Sequence, residues 1–169
     1  MTGSTVRSDR GVACSVLVMP VLLLRVLLDT NAFDELARDD ETVRRAETAV
    51  QNGELQLVVT HVQIDEVNKV PDAGKRQELQ RLTVVGTCTA GAIYDVSKFD
   101  EATYASVEDA TILDDVMLGN PNHAEDALIL LTARRESTPL VTRDKRLTKY
   151  CHKYGIEVIT PEELLARIP

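Results

Sequence analysis

Short apolar runs rich in Val, Leu and Ile alternate with helical patterns from residue 21 to the end of the chain, and no other feature restricts its fold as strongly. Strands separated by helix-length segments cannot pair as tight hairpins. They pair in parallel instead, with the helices crossing over the faces of the sheet. Strands are expected at residues 21–29, 55–60 ("LQLVVT"), 92–96 ("AIYDV"), 139–142 ("PLVT") and 157–160 ("EVIT"). The expected product is one α/β domain, a five-stranded and mainly parallel sheet flanked by helices.

The punctuation between these runs supports that plan. Helices are expected near 32–38 and 41–51, the second stopped by the turn Asn52-Gly53. Thr60 and Gln63 form a T-x-x-Q capping box, so a helix should open at His61 and end before Pro71. Another helix is expected over 75–84, while residues 97–121 show no clear period. Asn122 and Glu125 give a second box-like start before the apolar helix "AEDALILLTARRE". Thr160, Pro161 and Glu163 open the last helix, with proline where a missing N–H costs least.

Residues 1–18 are expected to be a flexible extension ahead of a domain spanning 19–169. Arg7 and Arg10 precede an apolar run from Val12 to Leu24, a faint signal-peptide pattern. Arg25 interrupts the run and no A-x-A cleavage pattern follows, so neither a leader nor a membrane span is expected. Met19 is then a candidate natural start, which intact mass from the native host would decide. Cys14, Cys88 and Cys151 are odd in number and widely spaced, which fits a reduced cytoplasm rather than a disulfide framework. Cys151 and His152 stand side by side without a second pair at zinc-site spacing. With 19 Lys+Arg against 27 Asp+Glu the net charge is -8, which excludes bulk attraction to nucleic acid or anionic membranes.

The stretch "LLLRVLLDTNAF", residues 22–33, runs an apolar strand directly into a carboxylate, Asp29. The simplest account is that the strand surfaces there and Thr30 or Asn31 caps the next helix. Three further acids hold comparable places: Glu66 after the second strand, Asp126 in the first turns of the apolar helix, and Asp144 after the fourth strand. In a parallel sheet this carboxyl edge is where sites are built. Asp126 constrains most, because Ala127–Leu131 has no polar face and a carboxylate beside it must be paired, neutralised or bound to a cation. Taken singly, each acid has a plain alternative. Glu66 suits a solvated helix and competes with Asp65, Asp144 can cap a helix, and Asp126 can pair with Arg134 or Lys145. Taken together, two unit charges at about 4 Å repel by about 4 kcal/mol at an effective dielectric of about 20. Raised pKa values or a hard cation such as Mg²⁺ or Mn²⁺ would relieve that repulsion.

In this order, "LLDTN", "THVQIDEV", "EDALILLTA" and "PLVTRD" resemble the PIN-domain nucleases over roughly residues 21–168. The resemblance implies a five-stranded parallel sheet and a Mg²⁺- or Mn²⁺-dependent ribonuclease activity. It implies that Asp29, Glu66, Asp126 and Asp144 form an acidic metal site supported by Asn31 and Thr142, with the role of Glu125 not separable from that of Asp126. Size and plan look like the toxin ribonucleases of type II toxin–antitoxin pairs, which implies an antitoxin partner and a homodimer. Housekeeping RNA-processing proteins share the domain.

An acidic protein that cuts RNA needs a basic path to its site. Arg134, Arg135, Arg143, Lys145, Arg146, Lys149 and Lys153 are the candidates, with a solvated surface as the plain alternative. With two Phe, four Tyr and no Trp, base stacking is expected to contribute little. A non-catalytic PIN-like module that binds RNA or protein is the competing function. A haloacid-dehalogenase-type phosphotransferase would want a second Asp where Asn31 stands. A receiver-like domain would want a Lys after the last strand, and "EVITPEE" has none.

Overall fold

The structure, a computed structural model, describes residues 23–98 and 100–168. The expected extension over 1–18, and the start of the first strand, lie outside the described residues. Strand β1 (Leu24–Leu28) leads into α1 (Thr30–Leu36) and α2 (Asp40–Gln51); β2 (Leu55–Val59) leads into α3 (His61–Lys69) and α4 (Ala73–Leu79). Three two-residue strands follow, β3 (Val85–Gly86), β4 (Thr89–Ala90) and β5 (Ala102–Thr103), then α5 (Val107–Met117) and a 3₁₀ turn (Pro121–His123). Helix α6 (Ala124–Arg135), β6 (Leu140–Val141), α7 (Lys145–Lys153), β7 (Val158–Ile159) and α8 (Pro161–Arg167) complete the order.

The main sheet is five-stranded and all its pairs are parallel, in the order β3-β2-β1-β6-β7. Alternation along β1 shows why both faces are covered. Val26 and Leu28 join one buried cluster with residues of α1, α2 and α8, whereas Leu27 joins the other with residues of α5, α6 and α7. Arg25, the charge inside this strand, bonds Gln56 and Thr138 at 3.1 and 3.0 Å and pairs with Glu136 at 2.9 Å, so it sits in the ladder without an unpaired charge. Helix α6 is buried all round from Ala127 to Ala133, as its apolar sequence requires. Among the described residues no helix is long and apolar enough to cross a membrane.

Three local expectations need correction. The third strand of the sheet is β3, not residues 92–96. There Asp95 takes φ 63 and Ile93 O accepts from Val96 and Ser97, so the segment turns back on itself. The helix expected over 75–84 is α4, Ala73–Leu79, and stops earlier so that the chain can run out to β3. The box of Asn122 and Glu125 does not form. His123 is the N-cap of α6 without a side-chain bond, and Asn120 instead caps the 3₁₀ turn, accepting from Asn122 N at 3.1 Å.

Candidate active site

The carboxyl edge of the sheet is assembled mainly by backbone ladders. Asp29 N donates to Val141 O at 3.0 Å, and Thr142 N donates to Ile159 O at 3.1 Å, so β1, β6 and β7 end in register. That register sets Thr142 beside Asp29, and Thr142 Oγ1 donates to Asp29 Oδ2 at 2.7 Å. The same hydroxyl accepts from Asp144 N at 3.0 Å, which ties the two strand ends to one another. Asp29 itself, rather than Thr30 or Asn31, is the N-cap of α1, its Oδ1 accepting from Thr30 N at 2.8 Å. Asp144 plays the same part for α7, its Oδ1 accepting from Leu147 N at 2.7 Å. Asn31 is exposed beside Asp29, where its side chain weakly opposes the rise of that carboxyl.

The other two acids arrive on helices pinned to this edge. In α3 the capping box of Thr60 and Gln63 closes as expected, and Gln63 Nε2 also donates to Leu28 O at 2.7 Å. Glu66 lies three residues on, on the same helix face, and is therefore aimed at the end of β1. Its carboxylate accepts from Thr30 Oγ1 and lies against Glu125 of α6. Asp65, its neighbour, turns away and pairs with Lys98 at 2.7 Å. Asp126 sits in the first turn of α6 and pairs with Arg146 Nη1 at 2.7 Å. Arg146 Nη2 also donates to Val116 O, so this guanidinium is held between α5 and α6.

The electrostatics confirm how crowded the edge is. Burial pushes Asp29 above the usual carboxylate range, against the hydrogen bonds from Thr142 and Thr30, and Asp144 adds repulsion. Burial also raises Asp126, reinforced by Asp29 and Asp144 and opposed by Arg146. Glu66 is pushed up to about 7, chiefly by burial, with Glu125 and Asp29 adding to the rise and the Thr30 hydrogen bond opposing it. All the donors are hard carboxylate and hydroxyl oxygens, the set that suits Mg²⁺ or Mn²⁺. Yet among the described residues no three His, Cys, Asp or Glu stand close enough together to hold one ion as placed. The long-range repulsion and this spacing are compatible, because each carboxylate is turned to a local partner: a helix cap, a hydroxyl or Arg146.

The basic residues are mostly engaged with the chain's own acids. Arg134 bonds Glu108 and lies 3.8 Å from Asp109, Arg143 pairs with Glu35 and Glu162, and Lys153 pairs with Asp115 at 2.7 Å. Arg135 donates to Thr103 Oγ1 and Tyr104 O at 2.6 and 3.0 Å. Lys145 and Lys149 are exposed, with no ion pair among the described residues. Sequence patterns did not reveal the contact of Thr30 with Glu66, nor that Arg146 would face inward onto Asp126. The first could have been suspected from a hydroxyl directly after a strand-end Asp; the second has no sequence signal.

No curated protein matches the chain significantly. Several solved structures are similar to it. A PilT N-terminus domain protein from Sulfolobus solfataricus is 17% identical over 85% of this chain and 92% of its own, with a TM-score of 0.48. VapBC2 from Rickettsia felis, solved with a DNA fragment from their promoter, is 14% identical over 81% of this chain and 98% of its own, at 0.46. VapBC-5 from Mycobacterium tuberculosis, of the VapBC family of toxin–antitoxin systems, is 17% identical over 80% and 98%, at 0.42. The family itself rests on a different match, a family model fitted to the chain's own residues. Because the PIN domain model matches residues 26–153, well over half of the chain, the protein belongs to the PIN-domain family.

Proposed function

We propose that this protein is a Mg²⁺- or Mn²⁺-dependent endoribonuclease that hydrolyses RNA phosphodiester bonds, with Asp29, Glu66, Asp126 and Asp144 as its acidic centre. The observation that carries this is the placement of these acids at one sheet edge, where Thr142 Oγ1 ties Asp29 to Asp144 and Thr30 ties Glu66 to the end of β1; burial there raises Asp29, Glu66 and Asp126 above their ordinary range. Mutual repulsion of buried acids is costly unless a cation is part of the working state. A divalent ion, when bound, supplies charge neutralisation at the phosphate and makes water a stronger acid at neutral pH. Asp29 and Asp144 are the rigid candidates for holding it, because Thr142 and the cap bonds fix their carboxylates. Asp126 can join them through the carboxylate oxygen that Arg146 does not hold. Glu66, with a pKa near the working pH and Glu125 beside it, is placed to hold or release a proton there. Lys145 and Lys149 offer free phosphate contacts, and Arg143 can exchange the exposed Glu162 for a phosphate at small cost while keeping Glu35.

The biological role proposed is that of a cytoplasmic toxin in a type II toxin–antitoxin pair, a homodimer restrained by an antitoxin that places a basic side chain among the acids. RNA processing is the alternative use of the same chemistry. The non-catalytic binding module is favoured by one observation, the Arg146–Asp126 pair, since a built-in countercharge would suit an acid that never meets a cation.

Cleavage of a mixed RNA pool decides between them, with Mn²⁺, Mg²⁺ or EDTA, for wild type, Asp29→Asn and Asp126→Asn. The expected result is metal-dependent cleavage that falls by about 100-fold or more in both variants. Cleavage that persists in EDTA, or in both variants, would sink this assignment of the site. An inert wild type, with no antitoxin co-purified, would favour the binding module.

A further inference from the structure

A cleft of about 880 Å³ opens beside the acidic edge and reaches it at Glu125. That volume is toward the top of the range, about 300–1,000 Å³, in which organic ligands are bound. Its outer walls are the turn after β4 and the segment after β5, and each wall carries a tyrosine. Tyr94 is 91% exposed and Tyr104 is 93% exposed. An aromatic ring left this open in water contributes nothing to the core, and both rings lie on one cleft.

Neither tyrosine sits on a loose tip. The turn carrying Tyr94 is closed by Val96 N to Ile93 O at 3.2 Å and by Ile93 N to Ser97 Oγ at 2.9 Å, and His61 Nε2 lies 3.3 Å from Val96 O. The carbonyl of Tyr104 accepts from Arg135 Nη1 at 3.0 Å. The two remaining tyrosines are differently used. Tyr150 lies under Arg146 at 5.5 Å, and Tyr154 lies under Lys153 at 5.3 Å while donating its hydroxyl to Asp115 at 2.6 Å. Only Tyr94 and Tyr104 therefore present free ring faces, and both flank the way to Glu125.

We propose that Tyr94 and Tyr104 form a stacking platform that grips unpaired bases of single-stranded RNA in this cleft and feeds the strand toward the acidic edge. This rests on the nuclease reading for the identity of the ligand and for the direction in which the strand runs; the two exposed rings on one cleft carry the grip. The charge of the cleft selects this mode of recognition. Asp65, Asp95 and Glu125 offset Lys69 and Lys98 there, and Lys98 is already paired with Asp65. With three acids against two lysines, the lining of this cleft gives RNA no net Coulomb attraction, so phosphate contacts fall to Lys145 and Lys149 and the grip within the cleft falls to the ring faces. Stacking tolerates any base, because every base has a π-face. Single strands are specified because the faces of paired bases are occupied by their neighbours. The expectation that stacking contributes little rests on the number of aromatics; the proposal departs from it on their placement.

The chain has no tryptophan and four tyrosines, so its intrinsic emission is tyrosine emission, and the quenching lost in Tyr94→Ala and Tyr104→Ala is the part these two rings carry. The test titrates the full-length protein, in EDTA, with a single-stranded oligoribonucleotide of about ten nucleotides carrying 2-aminopurine. Wild type should lose tyrosine emission and quench the 2-aminopurine. Tyr94→Ala and Tyr104→Ala should each weaken binding roughly tenfold. Tyr94→Phe and Tyr104→Phe should stay within about twofold of wild type, because the ring face is kept. A duplex of the same sequence should be insensitive to all four substitutions. Circular dichroism checks that the variants are folded, which is expected at positions this exposed. Alanine variants that bind the single strand like wild type would overturn the platform, as they would if these rings seat a protein partner instead. Equal losses for duplex and single strand would also overturn it. Mn²⁺-dependent cleavage by the same preparation separates the two proposals. Cleavage without tyrosine-dependent binding sinks the platform alone, and tyrosine-dependent binding without cleavage in any metal sinks the nuclease alone.

Discussion

At the sheet edge, Asp29 is fixed by a strand ladder, a buried threonine hydroxyl and its own helix cap, whereas across the cleft the wall from Gly91 to Ser106 is fixed by a few turn bonds and Arg135. The first region is buried and charged, and its polar atoms are nearly all engaged. The second is exposed and aromatic, and it is joined to the body chiefly by the two-residue strands β4 and β5 and by Ala90 N to Thr132 Oγ1 at 3.0 Å. The difference matches the demands placed on each. Under the proposed function, carboxylates that cooperate on one reacting bond need fixed positions, while the proposed platform, meeting variable strands, needs ring faces held at moderate stiffness.

The comparison breaks most readily at Gln63, which is fully buried and links Thr60 of α3 to the Leu28 carbonyl of β1. Gln63→Leu strands both backbone groups, so a loss of about 3 kcal/mol is expected. For a chain of this size that is roughly 6–12 °C in Tm, read by thermal circular dichroism. A loss under about 1 kcal/mol would mean that the edge is not held where the hydrogen bonds place it.

A middle-sized effect is expected from pH. Folding raises Asp29, Asp126 and Glu66, the last from 4.5 to about 7, so the folded chain binds more protons than the unfolded one across that window. Stability from these groups is complete below their unfolded values and is lost as pH rises through the folded ones. In EDTA, Tm should therefore fall between about pH 5 and pH 8. Glu66→Gln should flatten that fall while keeping an acceptor for Thr30 Oγ1. Asp39, Asp109 and Asp115 are shifted downward, so their contributions are lost only at more acidic pH and do not mask the slope. A variant as steep as wild type would remove Glu66 as the source.

The smallest effect sharpens the contrast instead of breaking it. Ser97→Ala removes the acceptor of Ile93 N and should cost under about 1 kcal/mol globally. Amide exchange at Ile93 should quicken while the β1 amides keep their protection. Loss of protection in both places would show that cleft wall and sheet edge open as one unit.

The same division explains what could be foreseen. β1, β2, β6 and β7 were visible because each carries a buried apolar run, and the Thr60–Gln63 and Thr160–Glu163 boxes were visible because capping is local. The strands β3, β4 and β5 were not, since β3 breaks at Gly86 and β4 and β5 are Thr and Ala pairs without the apolar run that marks β6 and β7, and their pairing is decided by distant partners. Residues 92–96 are apolar enough to suggest a strand, yet Ile93 and Val96 pack against the α5–α6 cluster from within a turn. The box of Ser106 and Asp109, which opens α5, was legible in kind and was hidden among the polar residues around it. For the acids, order along the chain was readable, but which member of Asp65–Glu66 and of Glu125–Asp126 faces which partner depends on helix rotation. Arg146 on Asp126 is a contact between two helices twenty residues apart, for which local pattern has no signal.

Asp29 and Asp144 each begin a helix as well as lining the edge. Replacing either therefore carries a folding cost whatever the edge is used for, because α1 or α7 would lose its first turn's anchor. Glu66 and Asp126 anchor no helix start, so a lineage released from the proposed activity would be expected to lose them first. Persistence of the two capping aspartates would then speak of folding, and persistence of the other two of use.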